Sequence, residues 1–151
     1  VPPDASAVDS AIVARLGSDT ELLGLMPNGV YFGLAPEHST QYVLVSLGDS
    51  HDEVMFGGRA FEVYVYAVKA VELSTVPTKN IRAASARIDA ILDPQPPASP
   101  LTLTIQGYSL KLSRRSQRIR YDEIDDVNRT IRWAHRGGEY TVWVAPLDTS
   151  G

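Results

Sequence analysis

Residues 59–92 read RAFEVYVYAVKAVELSTVPTKNIRAASARIDAIL, which is a long strand, a turn and then one amphipathic helix. Within 61–69 the apolar and aromatic side chains fall on both parities, Phe61, Val63, Val65 and Ala67 on one side and Tyr64, Tyr66 and Val68 on the other. A strand of that kind is central in its sheet, or lies against a partner on its second face. In the helix, Ile81, Ala84, Ile88, Ile91 and Leu92 recur at helical spacing and form one stripe wide enough to lie across a sheet. Lys79, Arg82, Arg87 and Asp89 are expected on the opposite side. The helix is expected to begin near 75–78, with Pro77 in its first turn, and to stop at Asp93-Pro94, because proline disfavours helix in the residue before it.

Upstream, Asp4 or Ser6 is expected to cap a helix whose stripe is Val8, Ala11, Ile12 and Leu16, with Gly17 ending it. A short helical turn over 18–25, a brief strand at 30–34 and a strand at 41–47 follow. GDSHDE at 48–53 reads as a polar loop, and Gly57-Gly58 as the turn into the long strand. Downstream, the prolines of 94–100 read as a stiff extended connection. Strand is expected at 101–105 and at 108–121, with a bulge or bend between Leu112 and Ile119, where the parity slips. Arg136-Gly137-Gly138 is either a hairpin tip or a glycine bulge within one long strand. The expected fold class is α+β, a mostly antiparallel sheet flanked by an N-terminal helix and one long amphipathic helix. Residues 1–7 read as a lead, 8–145 as a single domain and 146–151 as a flexible tail.

The totals narrow the function classes. With 151 residues, 44% hydrophobic and 21% charged, the chain has ordinary globular composition and length for one domain. The formal charge of −4 names no partner. Without cysteine there is no disulfide framework, thiol nucleophile or cysteine zinc site. No apolar run approaches the ~20 residues that span a bilayer, and a soluble protein without membrane contact is expected.

Catalytic constellations are hard to assemble from these residues. Asp49, His51, Asp52 and Glu53 have metal-ligand chemistry, but their spacing matches no metal site, and a solvated loop is the plainer reading. His38, His51 and His135 stand far apart, no G-x-S-x-G elbow occurs, and neither Gly57-Gly58 nor Gly137-Gly138 has a P-loop ending. The expectation is a protein that is not an enzyme and holds no cofactor or metal.

The most unusual composition is SRRSQRIR, which sets Arg114, Arg115, Arg118 and Arg120 on one strand-like segment just before the acidic corner Glu123, Asp125 and Asp126. Segregated opposite charges are what a head-to-tail contact between copies needs. Two solvated faces with weak salt bridges are an equally open reading, and phosphate contact by the arginines ranks below both.

Taken in order, the N-terminal helix, Leu22-Leu23-Gly24-Leu25 with Val30-Tyr31, Gln41-Tyr42-Val43-Leu44-Val45, Phe61-Glu62-Val63-Tyr64-Val65-Tyr66, the 81–93 helix and Tyr140-Thr141-Val142-Trp143-Val144 resemble the tail completion or tail terminator proteins of long-tailed bacteriophages. The resemblance runs from about Val8 to Val144 and includes the related tail-to-head joining proteins. It implies a virion protein, assembled in the host cytoplasm, that forms a hexameric ring at the head-proximal end of the tail tube. Its partners would be further copies of itself, the tube protein and the head connector, with DNA passing through the lumen without sequence-specific contact. The alternatives are an adaptor of the neck, a DNA-binding module using the basic strand at 114–120, and a small metal-dependent hydrolase around His51.

Overall fold

The computed structural model describes residues 6–54 and 60–147; the expected Asp4 cap, the Gly57-Gly58 turn and the tail beyond Leu147 lie outside them. Helices α1 (Ser6–Gly17) and α2 (Thr20–Leu25) lead into strands β1 (Val30–Phe32), β2 (Gln41–Val54) and β3 (Ala60–Leu73). Helix α3 (Ile81–Leu92) and the antiparallel pair β4 (Tyr108–Ile124) and β5 (Arg132–Pro146) complete the chain. The five strands form one sheet in the order β1-β2-β3-β5-β4, with β1 parallel to β2 and every other neighbour antiparallel. This is the α+β class expected, and β3 holds the middle position that its two apolar faces require.

The helices cover one face of the sheet. From β3 come Tyr64, Tyr66, Val68 and Ala70, from β2 Val43 and Val45, and from β5 Tyr140, Val142 and Val144, all buried beneath Val8, Ile12 and Leu16 of α1 and Ala84, Ile88 and Leu92 of α3. Burying each aliphatic side chain contributes roughly 1.5–3 kcal/mol, so the α3 stripe alone anchors that helix. The tyrosine hydroxyls in this core keep partners. Tyr66 donates to Asp9 at 2.5 Å, and Tyr140 donates to Asp89. Burial pushes both phenols far above the ordinary tyrosine range.

Asp19 joins three elements. It caps α2 by accepting the Leu22 amide at 2.8 Å, and it accepts Nε and a terminal nitrogen of Arg87 on α3 at 2.9 and 2.6 Å. The Arg87 hydrogen bond holds its carboxyl below the usual range although burial pushes the other way. Arg87 and Asp89 therefore face partners within the fold, where the sequence placed them on the solvent side. Asp89 lies over the sheet because Tyr140 and Arg115 supply donors there.

Several boundaries differ from expectation. Residues 48–53 are not a loop; they continue β2 to Val54, because the extended first half of β3 offers them a ladder from Val65 to Ala60, with one irregularity between Leu47 and Asp49. The helix begins at Ile81, after Pro77, where the buried Glu72 carboxylate accepts the Asn80 amide at 2.9 Å and so fixes the turn before it. Residues 101–105 are not a strand. Gly107 (φ 82°) folds the chain back so that only Ile105 bridges Tyr108, while Leu101 and Leu103 pack on the core without a ladder partner. The 94–100 connection is not extended throughout, since the Ala98 amide donates back to Gln95 at 3.0 Å. Pro146, read as the start of a tail, is the last residue of β5 and lies opposite Tyr108.

Gly137-Gly138 sits inside one unbroken β5. A Cβ on Gly137 would stand 2.0 Å from the Val68 carbonyl oxygen, and one on Gly138 2.8 Å from that of Gln117, so both positions need glycine for close approach to the strands on either side. The bulging is in β4, between Leu110 and Leu112 and between Arg115 and Gln117; the second lies in the interval where the parity slips.

Candidate subunit interface

Opposed residues of an antiparallel pair share a face, so the β4–β5 register assigns each arginine. Arg115, Arg118 and Arg120 lie opposite Tyr140, Gly138 and Arg136, on the helix face; Arg114 lies opposite Thr141, on the open face. The four arginines therefore do not form a single patch. Arg115 is engaged internally, donating to Asp89 at 2.6 Å while its amide donates to Asp93 at 3.1 Å. Arg114, Arg118 and Arg120 are exposed and make no ion pair among the described residues. Arg118 borders a cleft of about 600 Å³ against the end of α3, and Arg120 one of about 410 Å³ shared with Arg82, Ser85 and Arg136.

The acidic corner is likewise divided. Asp125 accepts Trp133 Nε1 at 3.0 Å and the amides of Val127 and Asn128 at 3.1 and 2.8 Å, and the Trp133 bond leads the lowering of its pKa. It shapes the β4–β5 turn. Glu123 lies on the open face, its carboxylate 3.7 Å from His135 Nε2, and Asp126 is exposed. Of the seven residues expected at an interface, Arg115 and Asp125 are thus occupied within the subunit, Glu123 lies exposed beside His135, and Arg114, Arg118, Arg120 and Asp126 remain outward.

His135, read from the sequence only as one of three histidines standing far apart, is buried on the open face. It is 7% exposed, its ring stacks on Tyr121 at 4.3 Å between centroids, and neither ring nitrogen has a hydrogen-bond partner among the described residues. Burial first, then Lys69, push its pKa down to about 4. The ring is therefore neutral at pH 7, and the approach of Glu123 is not an ion pair there. The same face, without helices, carries two aromatic pairs, Tyr42 with Trp133 at 6.4 Å near His135 and Phe61 with Trp143 at 5.9 Å toward the other end of the sheet.

The far half of β2 was not legible in the sequence. Asp49, His51 and Glu53 line up on one face of it, with His51 Nδ1 3.0 Å from Asp49 and Nε2 3.2 Å from Glu53. Read as a loop, these residues had no assigned neighbours. The signal was β3 itself, whose residues 60–65 need a paired strand on each side to be central. Among the described residues, no group of three or more His, Asp and Glu side chains converges as a metal ion would require.

No family model and no curated protein sequence matches the chain. A chain in a solved structure described as the virion of a native gene transfer agent particle is similar to it, with a TM-score of 0.64 and 18% identity, over 93% of this chain and 96% of that one. The likeness is one of fold and covers nearly the full length of both.

Proposed function

We propose that this chain is a structural protein of a phage-like virion, a subunit that assembles head-to-tail into a ring, closes the head-proximal end of the tail tube and joins it to the head connector. The observation that carries the reading is the shared fold, end to end, with a chain from a virion particle. The same order of elements underlies the likeness to tail terminators. Its chemistry is consistent with assembly: the unpaired charges are outward on strand edges, and the deeply buried polar groups Asp19 and Glu72 are spent on caps and turns. We assign it no catalytic role, and DNA crosses the ring without base contacts. A DNA-binding module is disfavoured by the arginine placement, since Arg114 lies on the face opposite Arg118 and Arg120, and Arg115 and Arg136 are paired with Asp89 and Asp122.

Tube assembly tests the reading. Tail-tube subunits that polymerise indefinitely alone should give capped tubes of limited length when this chain is added, with the chain found at one end by gold labelling. Unchanged tube growth together with no end labelling would overturn it.

A further inference from the structure

Among the described residues, two stretches of sheet edge have no neighbouring strand, and a part of each carries opposite charge. On β4, the amide of Arg115 is covered by Asp93, but residues 117–124 have β5 on one side and no strand on the other. On β2, β1 covers only Val43 to Val45, so, among the described residues, 48–54 have β3 on one side and no strand on the other. Over residues 117–121, before Asp122 and Glu123, the first edge presents Arg118 and Arg120; over residues 49–53 the second presents Asp49, Asp52 and Glu53.

Each edge also holds a like-charge pair directly across its ladder. Asp52 lies opposite Glu62, and Arg120 lies opposite Arg136. Such pairs are destabilising unless a counter-charge flanks them. Arg136 has Asp122 at 3.1 Å; Asp52 has no cation among the described residues.

We infer that the acidic edge of β2 at residues 49–53 pairs antiparallel with the basic edge of β4 at residues 117–121 of a second copy, with Asp52 beside Arg118. The inference rests on the ring reading and names its contact. Like edges repel, which disfavours the symmetric β2–β2 and β4–β4 pairings and leaves the head-to-tail contact that generates rings.

The register follows from the side chains. A slip by one residue would put the helix face of one copy against the open face of the next. A slip by two toward Ile124 would set Asp49 against Glu123, and a slip by two the other way would set Asp52 on the irregularity at Ser116. Within a subunit Asp52 is level with Leu110, about six paired positions from Arg118, so neighbours are staggered by about 20 Å along the strands. Across the four strands β2, β3, β5 and β4, roughly 19 Å wide, that stagger inclines the strands by about 45°, close to the tilt of closed barrels. The β1 of the second copy then falls beyond Ile124, where β4 has ended, and does not compete for the edge.

The cysteine-free chain makes the test direct. Asp52→Cys and Arg118→Cys in one chain, too far apart to join within a subunit, should give on oxidation a ladder of linked copies ending in a closed species, whereas Asp52→Cys with Asp122→Cys should not. Asp52→Lys or Arg118→Glu alone should lower the assembled fraction at least tenfold by mass photometry, and the two together should restore it to within about twofold, with circular dichroism unchanged throughout. Rings that form without the 52–118 link and tolerate Asp52→Lys would overturn the edge contact and leave the ring reading intact. A chain that neither assembles nor cross-links would overturn both.

Discussion

Substituting Gly137 by alanine should damage the centre of the sheet far more than one methyl group suggests. The added Cβ would sit 2.0 Å from the Val68 carbonyl oxygen, 2.6 Å from Lys69 Cα and 2.9 Å from the Val68 carbonyl carbon, all backbone atoms of β3. Relief requires β3 and β5 to part by an ångström or more where Lys69 faces Gly137. Overpacking of that kind costs about 1–3 kcal/mol, and weakening one or two ladder hydrogen bonds adds about 0.5–1.5 kcal/mol each. A total of about 2–4 kcal/mol is a large part of the roughly 5–15 kcal/mol that stabilises a domain. Urea unfolding followed by tryptophan fluorescence should show a lower midpoint at unchanged slope. Gly24→Ala is the control, since its Cβ meets nothing within 4 Å in α2, and alanine there should be neutral or stabilising by up to about 1 kcal/mol. A Gly137→Ala protein within about 0.5 kcal/mol of wild type would refute the close approach of the two strands.

Asp19→Ala should cost about 2–3 kcal/mol by denaturant titration, as it removes the α2 cap and leaves Arg87 without its bidentate acceptor; Asp19→Asn, which keeps the cap, should cost less. Because the Asp19 pKa is lowered on folding, its contribution is present above the unfolded value of 3.8 and is lost as pH falls through the folded one. His135 acts at milder acidity. With its pKa taken from 6.5 down to about 4, the unfolded chain binds a proton that the native chain refuses, so stability is full above pH 6.5 and declines toward pH 4 by about 3 kcal/mol. Thermal melts across that range should show the decline in wild type and its loss in His135→Phe, which keeps the stacking on Tyr121.

Periodicity exposed the parts of the fold that packing governs. The stripe Val8, Ala11, Ile12 and Leu16 is buried as read, and so are Ala84, Ile88, Ile91 and Leu92, because a helix face in contact with a sheet must be apolar whatever surrounds it. The far half of β2 was illegible for the opposite reason. Asp49 to Glu53 bury little, and their strand conformation comes from a ladder to β3 that no local pattern records. Proline misled at Pro77, where the Glu72 carboxylate, eight residues before the amide it accepts, sets the helix start. The basic strand was found by composition alone. Which arginines remain outward was not, since Arg115 is committed to Asp89 only through the packing of α3 on β4, and the bulge at Ser116 decides which face each residue takes.

If the chain is the low-copy ring subunit proposed above, quantitative mass spectrometry of purified particles from cells that make it should find about six copies per particle, the same in every preparation, as a closed ring requires. Absence from the particles, or the far higher copy number of a tube or shell subunit, would contradict it.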